Sequence, residues 1–205
     1  MKIYIIGDSI SIQYGPYLKK YLNENIVYSR KEGEEEALLD LDNPQGANGG
    51  DSKMVLAFLE ALFKSGKLDA DYVILNCGLH DIKTNTSTKK QQVPIDEYQQ
   101  NLKAIIKLFQ NSRTKLIWIR TTPCIDKVHN TPDSKFHRYS IDNNNYNEVA
   151  DKIMQQANIP SIDLFSFTQK LGSDLFCDHV HFHEHIREKQ GIFLAGCMES
   201  LSNDI

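Results

Sequence analysis

Two short segments near opposite ends of the chain carry side chains suited to nucleophilic catalysis. The first is Gly7-Asp8-Ser9, in which a hydroxyl follows a glycine that permits a sharp turn. The second is Asp178-His179-Val180-His181, whose spacing on a helical turn lets Asp178 reach the ring of His181. A serine hydroxyl, a histidine base and a carboxylate that orients the base make up a serine-hydrolase triad. Each segment is a weak signal alone, so the hypothesis needs a fold that joins the two ends.

Two glycine-bearing segments lie between these ends. Asn48-Gly49-Gly50-Asp51-Ser52 allows close backbone approach to a ligand and leads into a helix, although a flexible turn with a helix cap explains it equally well. Gly78-Leu79-His80-Asp81 follows an apolar segment and delivers a polar pair, for which a local hydrogen bond is the simpler reading. Backbone N–H groups at such turns are suited to holding an oxyanion.

The elements that must position these segments alternate along the chain. Short β-branched segments predict strands at 2–6, 26–29, 72–76, 116–120 and 161–163, and amphipathic segments predict helices at 17–22, 54–63, 96–109, 146–157 and 188–201. This alternation favours right-handed βαβ crossovers. We therefore expect one domain over residues 1–205, a three-layer α/β/α sandwich with a parallel, flavodoxin-like five-stranded sheet. Ligands bind beyond the carboxyl ends of such strands, where the polar segments lie.

Composition narrows the class of protein. The chain has 205 residues, of which 40% are hydrophobic, as expected for a globular core. A net charge of −4 without a concentrated basic run argues against nucleic-acid binding. The longest early apolar stretch, residues 3–6, is too short for a signal peptide or membrane span. The four cysteines include no CxxC pair, which favours a reducing compartment. We expect a cytoplasmic protein with no nucleic-acid or membrane partner; no pattern indicates its oligomeric state.

In order and placement, the four polar segments resemble the four conserved blocks of the SGNH hydrolases, also called GDSL esterases and lipases. Gly7-Asp8-Ser9 is similar to the first block, and Gly50 stands where the second block has the glycine whose N–H points into the oxyanion hole. Residues 78–81 fall where the family has Gly-x-Asn-Asp. Asp178 and His181 are similar to the acid and base of the last block. The resemblance covers essentially the whole chain.

This resemblance implies a serine esterase that acts on a small-molecule ester without a metal or organic cofactor. The implied catalytic residues are Ser9, Asp178 and His181, and the implied oxyanion and substrate contacts are Ser9, Gly50 and His80. Because no long apolar insertion suggests a lipase lid, short acyl groups are favoured, such as acetyl groups on carbohydrates. The chain departs from the family at His80, where an imidazole replaces the usual amide donor.

Two other functions are open at this stage. The alternation of histidines from His179 to His185 suggests a metal-dependent hydrolase, although few carboxylates nearby are obvious third ligands. The substitution at His80 also fits a catalytically weak, carbohydrate-binding protein of the same fold.

The pair His137-Arg138 is expected to lie on the surface, because arginine is seldom fully buried.

Overall fold

A central parallel sheet organises the molecule. The computed structural model describes residues 1–203. Its strands are β1 (Lys2–Ile6), β2 (Val27–Arg30), β3 (Tyr72–Leu75), β4 (Thr84–Asn85), β5 (Lys115–Ile119), β6 (Phe136–His137) and β7 (Ser161–Ile162). Five of them form one sheet in the order β2-β1-β3-β5-β7, and every neighbouring pair is parallel. Counted along the chain, this is the 2-1-3-4-5 order of flavodoxin-like sheets. The predicted fold class is confirmed.

Helices cover both faces of the sheet. They are α1 (Ser9–Tyr21), α2 (Glu34–Leu39), α3 (Ser52–Ser65), α4 (Ile95–Phe109), α5 (Asp126–His129), α6 (Ser140–Gln156), α7 (Leu164–Gln169) and α8 (Glu184–Asn203). α1 packs against α8, whereas α4 packs against both α3 and α6. β3 is buried throughout, β5 is buried except at Lys115, and β1 is buried at Ile3, Ile5 and Ile6, as expected for apolar strands between two helical layers. None of the helices in the described part of the chain is long and apolar enough to cross a membrane.

The predicted helices begin earlier than their apolar periodicity indicated, α1 and α6 by the most residues. α1 begins at Ser9 rather than at residue 17, because the Asp8 carboxylate accepts the Ile10 N–H at 3.0 Å and caps the helix. α6 begins at Ser140 rather than at residue 146 and includes an asparagine-rich stretch over residues 143–147. The side chains of Asn143 and Asn147 are buried there and donate to the carbonyls of Thr122 and Thr121. These tertiary hydrogen bonds outweigh the weak helix propensity of asparagine.

The sequence did not predict a small second sheet. β4 and β6 pair antiparallel, with Thr84 opposite His137. Each strand has two residues, too few to show a period-2 pattern. This pairing brings the segment after β6 beside the loop that follows β3.

Candidate active site

Ser9 lies at the carboxyl end of β1, where the chain turns into α1. A Cβ atom on Gly7 would lie only 2.7 Å from the Cβ of Ser11, so this close approach requires glycine. As the first residue of α1, Ser9 has an N–H without a partner inside the helix. The side chain of Ser9 is thus presented beside an available backbone donor.

The two ends of the chain meet at this serine. The Oγ atom of Ser9 lies 2.9 Å from Nε2 of His181, across 172 positions of sequence. On the other side of the imidazole, Nδ1 lies 2.7 Å from Oδ2 of Asp178. Ser9 and His181 are both buried, whereas about 44% of the Asp178 side chain is exposed. The structure therefore brings the three predicted catalytic side chains into one hydrogen-bonded chain.

Asp178 reaches His181 through a loop and not through the helical turn that the spacing suggested. Oδ1 of Asp178 accepts the backbone N–H groups of Val180 and His181, at 2.8 and 2.7 Å. Burial alone would raise the pKa of Asp178, but hydrogen bonds from the His181 ring and from these two N–H groups lower it well below its usual range. The carboxylate is ionised at neutral pH, as a group that stabilises an imidazolium must be.

Gly50 adopts a left-handed conformation just before α3. Its φ is +71°, and a Cβ atom would lie 2.6 Å from Sδ of Met54 and 2.8 Å from Cβ of Pro44. Its N–H donates to Oδ1 of Asn48 at 3.0 Å. This donor must therefore exchange partners before it can bind an oxyanion.

His80, the predicted substitute for the family's amide, is buried in the loop between β3 and β4. Burial lowers its pKa well below the usual range, and the positive charges of Lys83 and Arg138 add to the effect. The ring is neutral at physiological pH and carries a single N–H donor. Its Nδ1 atom is buried without a hydrogen-bond partner. The preceding Gly78 permits close packing on Thr121, whose Oγ1 would lie 2.5 Å from an added Cβ.

The side chain of Arg138 lies in the protein interior, so the predicted surface position was wrong. It is only 2% exposed, contrary to the expected surface position. Its Nε donates to the carbonyl of Leu79 at 2.7 Å, and Nη1 lies 2.7 Å from Nε2 of His129. No local pattern signalled this burial, since it depends on the unpredicted pairing of β4 with β6.

A second carboxylate–histidine pair stands beside the first. Nε2 of His179 lies 2.9 Å from Oδ2 of Asp42, and this hydrogen bond lowers the pKa of Asp42 to about 2. The rings of His179 and His181 lie edge to face, with centroids 5.8 Å apart. His179 also lines a cleft of about 340 Å³ with polar side chains that include Asp40, Asp42 and Ser134.

The structure does not bring the four alternating histidines to one point. In the described part of the chain, the one group of three or more potential metal ligands consists of Asp178, His179 and His181, whose ligand atoms lie within 4.8 Å of one another. His183 instead contacts Asp174, at 3.4 Å. A metal bound to this group would have to replace the hydrogen bond between Asp178 and His181.

Similar solved structures share this architecture along nearly the whole chain. An acetyl xylan esterase, AlAXEase, is 18% identical over 98% of this chain and 99% of its own, with a TM-score of 0.64. The carbohydrate acetylesterase Est24 from Sinorhizobium meliloti is 14% identical, with a TM-score of 0.65 over 98% and 99% of the two chains. A lipase/acylhydrolase from Enterococcus faecalis is 17% identical, with a TM-score of 0.68 over 97% and 95%. At these identities the likeness shows the fold alone.

Sequence comparison gives the family. No curated protein matches the chain. A model of the GDSL-like lipase/acylhydrolase family matches residues 5–186, a span that includes all four polar segments and both ends of the Ser9–His181 contact. The chain therefore belongs to the GDSL-like lipase/acylhydrolase family.

Proposed function

We propose that this protein is a serine esterase that hydrolyses short-acyl esters, with acetylated carbohydrates as the favoured substrates. The observation that carries the proposal is the 2.9 Å contact between Oγ of Ser9 and Nε2 of His181, continued at 2.7 Å to Asp178. Membership of an acylhydrolase family supports the same class of reaction.

In the proposed reaction, Ser9 attacks the ester carbonyl while His181 accepts the hydroxyl proton. Asp178 holds the His181 tautomer and stabilises the imidazolium that forms. The N–H of Ser9, the N–H of Gly50 once released from Asn48, and the neutral ring of His80 are the donors for the oxyanion. His181 then protonates the leaving alcohol, and water attacks the acyl-enzyme by the same steps in reverse.

The surroundings of the site support a polar alcohol component. The cleft beside His179 is small and is lined by hydroxyl, carboxylate and imidazole groups together with Lys135 and the ring of Phe136. Such polar groups donate and accept hydrogen bonds with sugar hydroxyls. Two of the similar structures are described as an acetyl xylan esterase and a carbohydrate acetylesterase, which favours an acetylated carbohydrate for this chain.

The proposal is tested with nitrophenyl esters of increasing acyl length. We expect the highest kcat/KM for acetate and a steady fall for longer acyl chains. Ser9→Ala should abolish turnover and leave the fold intact, whereas Ser11→Ala is the matched control, because Oγ of Ser11 bonds to the Asp8 carbonyl and not to the triad. Turnover by Ser9→Ala at the wild-type rate would refute the serine mechanism.

A metal-dependent hydrolase is the second candidate, favoured by the grouping of Asp178, His179 and His181. Three protein ligands with an open position are typical of catalytic zinc sites. Activity that is lost with a chelator and restored with zinc would support this candidate. The serine esterase proposal predicts that chelator leaves hydrolysis unchanged. A weak carbohydrate-binding protein would instead bind acetylated sugar without turning it over.

A further inference from the structure

Arg138 is a buried cation without an ion-pair partner. Its side chain is almost fully inaccessible, and within residues 1–203 no carboxylate oxygen lies within 4.0 Å of its guanidinium. Placing a charge in the interior without an opposite charge in contact is energetically unfavourable. The neutral contacts that it makes, to a carbonyl, an imidazole and the face of the Phe136 ring, offset only part of this cost. The retained charge therefore calls for an explanation beyond packing.

The side chain is held rigidly. Burial and the charge of Arg138 lower the pKa of His129 to about 4, so the ring is neutral and its Nε2 accepts from Nη1 of the arginine. The amide of Asn130 bonds to both backbone groups of Arg138, at 2.9 and 2.8 Å. A residue anchored at its backbone and at its guanidinium keeps one orientation.

This orientation places Nε against the third polar segment. Nε donates to the carbonyl oxygen of Leu79 at 2.7 Å. That oxygen belongs to the planar peptide that joins Leu79 to His80. Fixing the carbonyl therefore fixes the peptide from which the His80 side chain extends.

The oxyanion site has few free donors, which gives this charge a role. His80 is a neutral imidazole with one N–H in place of the family's amide, and the N–H of Gly50 is bonded to Asn48. The positive charge of Arg138 interacts with the carboxylates of Asp42, Asp8 and Asp178; Asp8 precedes Ser9 directly, and Asp178 is bonded to the His181 ring. A preorganised positive charge in a water-poor site favours the negative charge that develops in the transition state.

We propose that Arg138 is a positioning residue of the oxyanion site, which holds the Leu79–His80 peptide in place and supplies the buried positive charge that favours the tetrahedral intermediate. This inference rests on the proposed esterase function. Arg138 does not touch the reacting atoms, and its effect is exerted through His80 and through its charge.

The test compares variants of the full chain on p-nitrophenyl acetate. Arg138→Met should lower kcat by about tenfold or more with KM changed by less than about twofold, because the lost interaction strengthens only in the transition state. Arg138→Lys keeps the charge and should recover part of kcat. Arg120→Met is the matched control, since Arg120 is paired with Asp151 and Asp163 and should keep wild-type kcat. Wild-type kcat in Arg138→Met, or an equal loss in Arg120→Met, would overturn the proposal.

A double-mutant cycle separates positioning from general support of the fold. The cycle compares the increases in activation free energy, calculated from kcat. If Arg138 acts through His80, the increases in Arg138→Met and His80→Ala should sum to more than the increase in the double variant. Additive losses would refute that route. Should Arg138→Met fail to fold, Arg138→Lys carries the same cycle. An inactive wild type, or an active Ser9→Ala, would overturn the esterase function and this inference together. If the wild type is active, Ser9→Ala is inactive and Arg138→Met is unimpaired, the inference alone is overturned.

Discussion

The carboxyl group of Asp81 accepts the backbone N–H of Ser52 through both of its oxygens, at 3.0 and 3.1 Å. This contact ties the loop after β3 to the beginning of α3, and so fixes His80 relative to Gly50. Burial raises the pKa of Asp81 to about 8, although hydrogen bonds from Ser52 oppose the shift. The two middle polar segments are therefore joined by a carboxyl group that is protonated more readily than usual.

Replacing Asp81 with asparagine should flatten the pH dependence of stability. Because the folded-state pKa lies above the ordinary value of 3.8, the folded protein keeps a proton that the unfolded chain loses between these pH values. Its free energy of unfolding therefore falls as pH rises, by up to about 1.4 kcal/mol per pH unit from this group. Asp81→Asn cannot titrate but keeps an oxygen acceptor for Ser52. Urea denaturation of both proteins at several pH values checks this, and parallel curves would contradict it.

Asp178→Asn should lower kcat by roughly 10³ to 10⁴. The amide oxygen can still accept the N–H groups of Val180 and His181, so the loop should keep its shape. The amide group, however, neither fixes the His181 tautomer nor stabilises the imidazolium. Steady-state kinetics on p-nitrophenyl acetate measure the loss. Asp174→Asn, an exposed carboxylate at His183, serves as control and should behave like the wild type.

His80→Asn should match or exceed wild-type kcat, because it restores an amide donor in place of the imidazole. His80→Ala removes the donor and should lower kcat by roughly 10² with little change in KM. The exposed His185 provides the control substitution, His185→Ala, which should leave both constants unchanged. If His80→Ala hydrolyses p-nitrophenyl acetate as fast as the wild type, the imidazole is not an oxyanion donor.

Gly50→Ala should reduce both stability and kcat. Its positive φ and the contact of a new Cβ with Met54 and Pro44 would shift the backbone N–H by several tenths of an ångström or more. Gly66 has a similar φ of +65° but open space around it, so Gly66→Ala should cost only about 1 kcal/mol of backbone strain and leave kcat unchanged. Thermal unfolding and kinetics on both variants check the distinction. Equal kcat in the two variants would mean that the position of Gly50 does not affect catalysis.

The site residues were most predictable from sequence where a polar segment directly follows an apolar, β-branched strand. The β-branched segments around Ile5 and Ile74 form the central strands, and the polar residues that follow them lie at the carboxyl edge of the sheet. Ser9 was therefore predictable from position as well as residue type. Asp178 and His181 lie instead in the loop between α7 and α8, and were indicated by their spacing and by the family resemblance. The start of α1 was missed because its cap, Asp8, lies outside the apolar period of the helix.

Features that depend on tertiary contacts could not be derived from spacing. The burial of Arg138 follows from the pairing of β4 with β6, and each of these strands is too short to leave a periodic signal. The hydrogen bond from Gly50 to Asn48 depends on a local side-chain orientation that residue type does not specify. The pairing of His179 with Asp42 joins positions 137 residues apart.

Covalent labelling with a fluorophosphonate, followed by peptide mass spectrometry, tests most directly whether the chain's first serine is an activated nucleophile. We predict a single stable adduct on Ser9 of the folded protein, with labelling abolished by Ser9→Ala and strongly slowed by His181→Gln. An unlabelled Ser9 under conditions in which the protein hydrolyses esters, or an adduct elsewhere that accompanies loss of activity, would contradict the proposed mechanism.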